Sequence, residues 1–156
     1  MSAVKFHVPE VKLAKLLRTP GGLPVADAVT RAGAGLESLR TECLDELRVT
    51  LDRAELCASR ADGAYDAALV SELYGIASAA IGVPTTCGLA PIDTALICLA
   101  DLLDYLKGQQ KWDTNAVAVH LRAFRLLVQT EAGKDSAGTK AVLEGLRQVS
   151  QRYART

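Results

Sequence analysis

The chain has 156 residues, of which 49% are hydrophobic, 23% charged and 4% aromatic. That length suits a single domain and suffices to bury a core without a metal or disulfide. Eighteen basic and eighteen acidic residues cancel, which argues against a broad electrostatic grip on nucleic acid or an anionic membrane. No apolar run is read as reaching the roughly 18 residues of a membrane span, and Met1–Phe6 lacks the apolar stretch of a secretory signal.

The pattern is helical throughout, without the alternating β-branched and aromatic runs of strands. Pro9–Arg18 reads as a short helix closed by Thr19-Pro20-Gly21-Gly22. Residues 1–22 are therefore taken as an N-terminal extension, and 23–156 as one bundle domain. Pro24 suits the first turn of a long helix. Val25, Val29, Ala32, Leu36, Leu39 and Cys43 recur at alternating spacings of four and three. Leu47, Leu51, Ala54 and Ala58 continue that stripe with a shift in phase, so the helix is expected to reach about Arg60. Gly33 and Gly35 are weak points within it.

A second helix is expected from Gly63 to Ile81, stopping at Gly82-Val83-Pro84. A third starts near Leu89, with Pro91 and Asp93 in its first turn, and ends at Lys107-Gly108. A fourth follows Asp113, a good N-cap, and ends before Gly133. A fifth follows Ser136 towards Tyr153. Short connections favour antiparallel neighbours. The expected fold class is all-α: an antiparallel four-helix bundle with a short N-terminal helix and an additional C-terminal helix.

Cys43, Cys57, Cys87 and Cys98 form no C-x-x-C pair, and their gaps match no zinc framework, even with His7 and His120. Free thiols in an intracellular, cytoplasmic chain are the expectation. Cys87 precedes Gly88 in a loop, and with no basic neighbour to lower its pKa it reads as structural. His120 falls between Ala116, Phe124 and Leu127, away from Arg122. It reads as a core histidine with one satisfied hydrogen bond, Asp113 or Glu131 being available as a carboxylate partner. His7 is assigned to a mobile terminus. Asp101 and Asp104 share a solvated helix face, and Trp112 before Asp113 resembles a hydrophobic staple. No phosphate loop, nucleophile triad or dinucleotide fingerprint is present. No catalytic residue, metal or cofactor is expected.

The segment Ser78-Ala79-Ala80-Ile81-Gly82-Val83-Pro84-Thr85-Thr86-Cys87-Gly88-Leu89 resembles the signature of histidine-containing phosphotransfer (HPt) domains. That signature reads His, any residue, an apolar residue, Lys or Arg, Gly, five residues and a second Gly. Gly82 and Gly88 fall on the two glycines, Ala80 on the apolar position and Cys87 on a position commonly taken by Phe or Leu. Ser78 stands where the family has its phospho-accepting histidine, and Ile81 stands at the basic position. Imidazole is a nucleophile at neutral pH, whereas a serine hydroxyl needs an activating base. The resemblance therefore implies a phosphotransfer scaffold without its reactive group. The wider chain is loosely similar to small helical proteins associated with chemotaxis systems of alphaproteobacteria.

At about 100° per residue, Leu69, Leu73, Ile76 and Ala80 share one face of the second helix. Ser71, Gly75, Ser78 and Gly82 line the opposite face, flanked by Tyr74 and Ile81. In the resembled family this face docks the receiver domain of a response regulator. The expected function is thus a non-catalytic HPt-like adaptor of two-component or chemotaxis signalling. Its partner would be a receiver domain or a histidine kinase, with no nucleic acid and no membrane. Internal packing of the stripe is the bland alternative. A second reading is a structural homodimer or scaffold built on the Val25–Ala58 stripe. A third is an active phosphotransferase using His120.

Overall fold

The computed structural model describes residues 21–131 and 136–154. The expected helix over Pro9–Arg18, and His7, lie outside the described residues. Among the described residues there are six helical segments and no strand. They are α1 (Val25–Ser59), α2 (Ala67–Ala80), α3 (Val83–Thr86), α4 (Ala90–Gln109), α5 (Thr114–Gln129) and α6 (Ala137–Ala154). Backbone contacts group the chain into two units, Met1–Gly35 and Leu36–Thr156. The division follows the second of the two weak-point glycines in α1. In the first unit the described residues, 21–35, are all exposed.

The second unit is a helical bundle organised around α4. Ten residues of this 20-residue helix are buried, from Ile92 to Leu106. A helix that is apolar on most of its sides belongs in the middle of a core. Helices α2, α3, α5 and α6 each pack against α4, and α5 also packs against α6. The α1 helix joins through side chains. Cys43, Leu44, Leu47 and Leu51 enter one apolar cluster with Leu96 and Phe124, while Ala54 and Cys57 enter a second with Leu73 and Leu103. Ion pairs Arg60–Glu72 and Arg125–Glu55 tie the residue after α1 to α2, and α1 to α5, from outside.

Several boundaries move for identifiable reasons. The α2 helix begins after Asp66, not at Gly63, because the Asp66 carboxylate accepts from the N–H groups of Ala68 and Leu69 at 2.8 and 3.2 Å. Gly63 itself has φ 96° and stands outside any helix. The α4 helix runs past Gly108 to Gln109, and Gln110 takes the left-handed capping conformation at φ 52°. Asp113 caps as expected, accepting from the N–H of Ala116 at 2.9 Å, and Ser136, the expected start of the last helix, accepts from the N–H of Thr139 at 3.1 Å. The helical turn α3, within the expected stop at Gly82-Val83-Pro84 and the loop after it, was not anticipated.

The long stripe on α1 is covered over only part of its length. Cys43, Leu47, Leu51 and Ala54 are buried, with Leu44 and Cys57 beside them. In the second unit Leu36 and Leu39 remain exposed, and in the first so do Val25 and Val29. Periodicity marks which side of a helix is apolar but says nothing of how far the covering helices extend.

Candidate functional site

The end of α2 is shaped by two glycines. Gly82 has φ 92° and Gly88 φ 73°, a region that costs a side-chain-bearing residue roughly 1–2 kcal/mol. Gly82 stops α2, Pro84 is buried, and the α3 turn carries the chain to Gly88 and into α4. This turn is pinned from α4. Two exposed residues of the loop donate to a buried carboxylate: Gly82 N–H to Asp93 Oδ1 at 2.7 Å, and Thr85 Oγ1–H to Asp93 Oδ2 at 2.6 Å. Asp93 is therefore more than a first-turn acid favouring the α4 dipole. It fixes where α2 ends.

On α2 the buried face is Leu69, Val70, Leu73 and Ala77, with Ile76 and Ala80 partly covered. The core face is thus rotated from the expected Leu69-Leu73-Ile76-Ala80 line toward Val70 and Ala77. On the other side, Ser71, Tyr74, Gly75, Ile81 and Gly82 are exposed and Ser78 is half-buried. Ser78 donates its hydroxyl to Gly75 O at 3.3 Å. Nothing lies within 4 Å of where a Cβ on Gly75 would project. Tyr74 and Ile81 are 41% and 36% exposed, so the small-residue stripe has two apolar shoulders. Helix α6 packs on α4 and α5.

Beside this face a groove of about 420 Å³ opens between α1 and α2. Leu47 and Thr50 line it from α1, and Gly75, Ile76 and Ala79 from α2, with Val83 at its end. Glu46, Arg53 and Glu72 also border it. The contribution of α1 was not legible in the α2 pattern, since it comes from a distant stretch of chain. The stretch Ala67–Thr86 is long and apolar enough to cross a membrane by length and composition, against the expectation that no run reaches that length. Its backbone breaks at Gly82 and its inner face packs on α4; the core helix of a bundle meets the same criterion.

His120 is fully buried. Its Nδ1 is 2.8 Å from Ala116 O, an obligate acceptor, so Nδ1 carries the proton. Its Nε2 then accepts from the Ser150 hydroxyl at 3.1 Å. That hydroxyl also stands 3.3 Å from Cys98 O, so α6, α5 and α4 meet at one polar point. The expected single bond is two, and neither partner is the Asp113 or Glu131 carboxylate. Burial lowers the His120 pKa, partly opposed by the Ala116 hydrogen bond. Asp113 instead accepts from Tyr153 Oη at 2.6 Å. Asp101 and Asp104 are exposed as expected, and among the described residues no group of three His, Cys, Asp or Glu side chains is arranged to hold a metal.

The described cysteines are free thiols, with Cys43, Cys57 and Cys98 buried and Cys87 half-exposed. A basic side chain approaches the residue after Cys87. Arg40 Nη1 lies 3.8 Å from where a Cβ on the adjacent Gly88 would stand. Arg40 is itself held by a hydrogen bond from Nη2 to Glu131 O at 3.0 Å. The sequence carries no local sign of this approach.

Comparison with protein-family models, with curated proteins and with solved structures finds no match for this chain.

Proposed function

We propose that this chain is a non-catalytic, HPt-like adaptor of two-component or chemotaxis signalling. In this reading its helices form an antiparallel four-helix bundle with an added C-terminal helix. The face of α2 bearing Ser71, Tyr74, Gly75, Ser78, Ile81 and Gly82 docks a response-regulator receiver domain or a histidine kinase. The observation that carries the proposal is the exposure of that face next to a Gly82 turn held by Asp93. Small residues let a partner backbone approach closely, and Tyr74 and Ile81 supply apolar contact at the edges. Gly82 and Gly88 both adopt positive φ, which gives the two glycines of the resemblance a backbone reason to be there. Without a histidine at position 78, the adaptor competes with an active phosphotransferase or sequesters a regulator.

The test is direct binding to the receiver domains and kinases of the same organism, with a radiolabelled-phosphate transfer assay alongside. Binding without transfer is expected. Gly75→Arg and Ser78→Arg should each weaken binding about tenfold or more while helicity stays unchanged. Undiminished binding in both variants rejects the face.

A second reading is a homodimeric scaffold. It is favoured by the exposure of Val25 and Val29 in one unit and of Leu36 and Leu39 in the other. Sedimentation separates the two: a concentration-independent dimer supports the scaffold, a monomer near 16.5 kDa disfavours it. The third reading, phosphotransfer by His120, gains no support from a ring that is fully buried with both nitrogens hydrogen-bonded.

A further inference from the structure

Cys87 closes the α3 turn and is half-exposed, while Cys43 on α1 is 5% exposed. The Cys87 side chain packs against the apolar cluster that contains Cys43. Its Sγ lies 3.8 Å from Leu39 O, one helical turn before Cys43. A helical side chain leans back over the preceding turn, so the Cys43 thiol points toward that spot. Cys87 Sγ thus sits beside the turn of α1 that carries Cys43. Arg40, hydrogen-bonded to Glu131 O, approaches Gly88, the residue after Cys87.

We propose that Cys87 and Cys43 are an oxidisable thiol pair, taking a hydroperoxide as co-substrate and closing an intramolecular disulfide between α1 and the α3 turn. Cys87 is the accessible sulfur and reacts first. Its sulfur attacks hydrogen peroxide, the O–O bond breaks, and one water leaves with formation of a Cys87 sulfenic acid. The Cys43 sulfur then attacks the sulfenic sulfur. The S–S bond forms, the S–O bond breaks, and the departing hydroxide takes the Cys43 proton as a second water. In balance, two thiols are oxidised and one peroxide is reduced to two waters.

Burial and the hydrogen bond with Cys87 push the Cys43 thiol up to about 11, with Arg40 acting weakly the other way. Cys43 is thereby kept from reacting with peroxide on its own and is confined to the resolving step. A thiol of high pKa is also a poor leaving group, so the disulfide, once closed, reopens slowly. The proposal stands apart from the docking reading.

The experiment treats the full chain with hydrogen peroxide, alkylates under denaturing conditions, and maps the peptides by mass spectrometry without reduction. The expected product is a Cys43–Cys87 cross-linked peptide within one chain, with Cys57 and Cys98 alkylated. Cys43→Ala should stop the reaction at Cys87, where a sulfenic-acid trap adds to it; Cys87→Ser should leave Cys43 unoxidised. Alkylation of both Cys43 and Cys87 in treated wild-type protein, or cross-links only to other cysteines, overturns the proposal. The wild-type map decides the matter even if a variant fails to fold.

Discussion

The carboxylate of Asp93 on α4 receives the backbone N–H of Gly82, eleven residues earlier in the chain, at 2.7 Å. Its other oxygen receives the Thr85 hydroxyl at 2.6 Å. A buried carboxylate with both oxygens occupied by a neighbouring turn orders that turn, since withdrawing it leaves two donors without their partner. Asp93→Ala should destabilise the fold by about 2–3 kcal/mol, and Thr85→Val by about 1 kcal/mol. Urea denaturation followed by circular dichroism measures both. Equal losses in the two variants would mean that the Gly82 bond adds nothing.

Gly75 and Gly82 lie on one stripe of the sequence yet should respond oppositely to alanine. Gly75 is helical, with open space where a Cβ would go. Gly75→Ala should raise stability by about 0.5–1 kcal/mol. Gly82 has φ 92°, so Gly82→Ala should lower it by about 1–2 kcal/mol. Thermal melts of the two variants give the signs directly.

Burial lowers the His120 pKa below its value in the unfolded chain. The unfolded state then binds more protons once the pH drops below about 6.5. Stability is therefore full above that pH and falls as the solution is acidified towards the folded pKa. The urea midpoint should drop between about pH 7 and pH 5, and His120→Gln should flatten that slope while costing stability at neutral pH. Ser150→Ala, which leaves Nε2 without its donor, should cost about 1 kcal/mol at pH 7. A pH profile unchanged in His120→Gln contradicts the assignment.

Tyr153 on α6 donates to Asp113, the carboxylate that caps α5. Burial, and then the Asp113 hydrogen bond and charge, push the phenol up to about 12. The Tyr153 hydrogen bond first, and the Ala116 N–H next, hold the Asp113 carboxyl below its ordinary range. The two signs differ. The phenol's contribution is present below the unfolded tyrosine pKa and is lost as pH rises through about 12. The carboxylate's contribution is present above the unfolded aspartate pKa and is lost as pH falls through its lowered value. Absorbance titration should show one of the four tyrosines ionising last, and Tyr153→Phe should remove that late step. The same variant should lose about 1 kcal/mol at neutral pH.

What could be read from residues in order was local. Asp113 and Ser136 mark helix starts because capping needs only a side chain within reach of the next turn, and Pro24 marks one because its fixed φ suits a helix start. Gly82 marks a stop because one backbone conformation favours glycine. The apolar side of each helix is legible to within a residue or so, as the shift from Ala80 toward Val70 and Ala77 on α2 illustrates. The candidate face on α2 follows from the same periodicity.

The tertiary structure decided every relation that spans the chain. It buries Cys43 but leaves Leu36 and Leu39 exposed on the same stripe. It gives His120 the Ser150 hydroxyl, thirty residues away, rather than a carboxylate near in sequence. It brings Leu39 of α1 to Cys87 and Arg40 of α1 to Gly88. The physical reason is one of range. Helix propensity, capping and periodicity act over a turn or two, so they are written in neighbouring residues. Coverage of a stripe, or the partner of a buried polar atom, depends on which helices share the core and where they end, and that is settled only when the whole chain has packed.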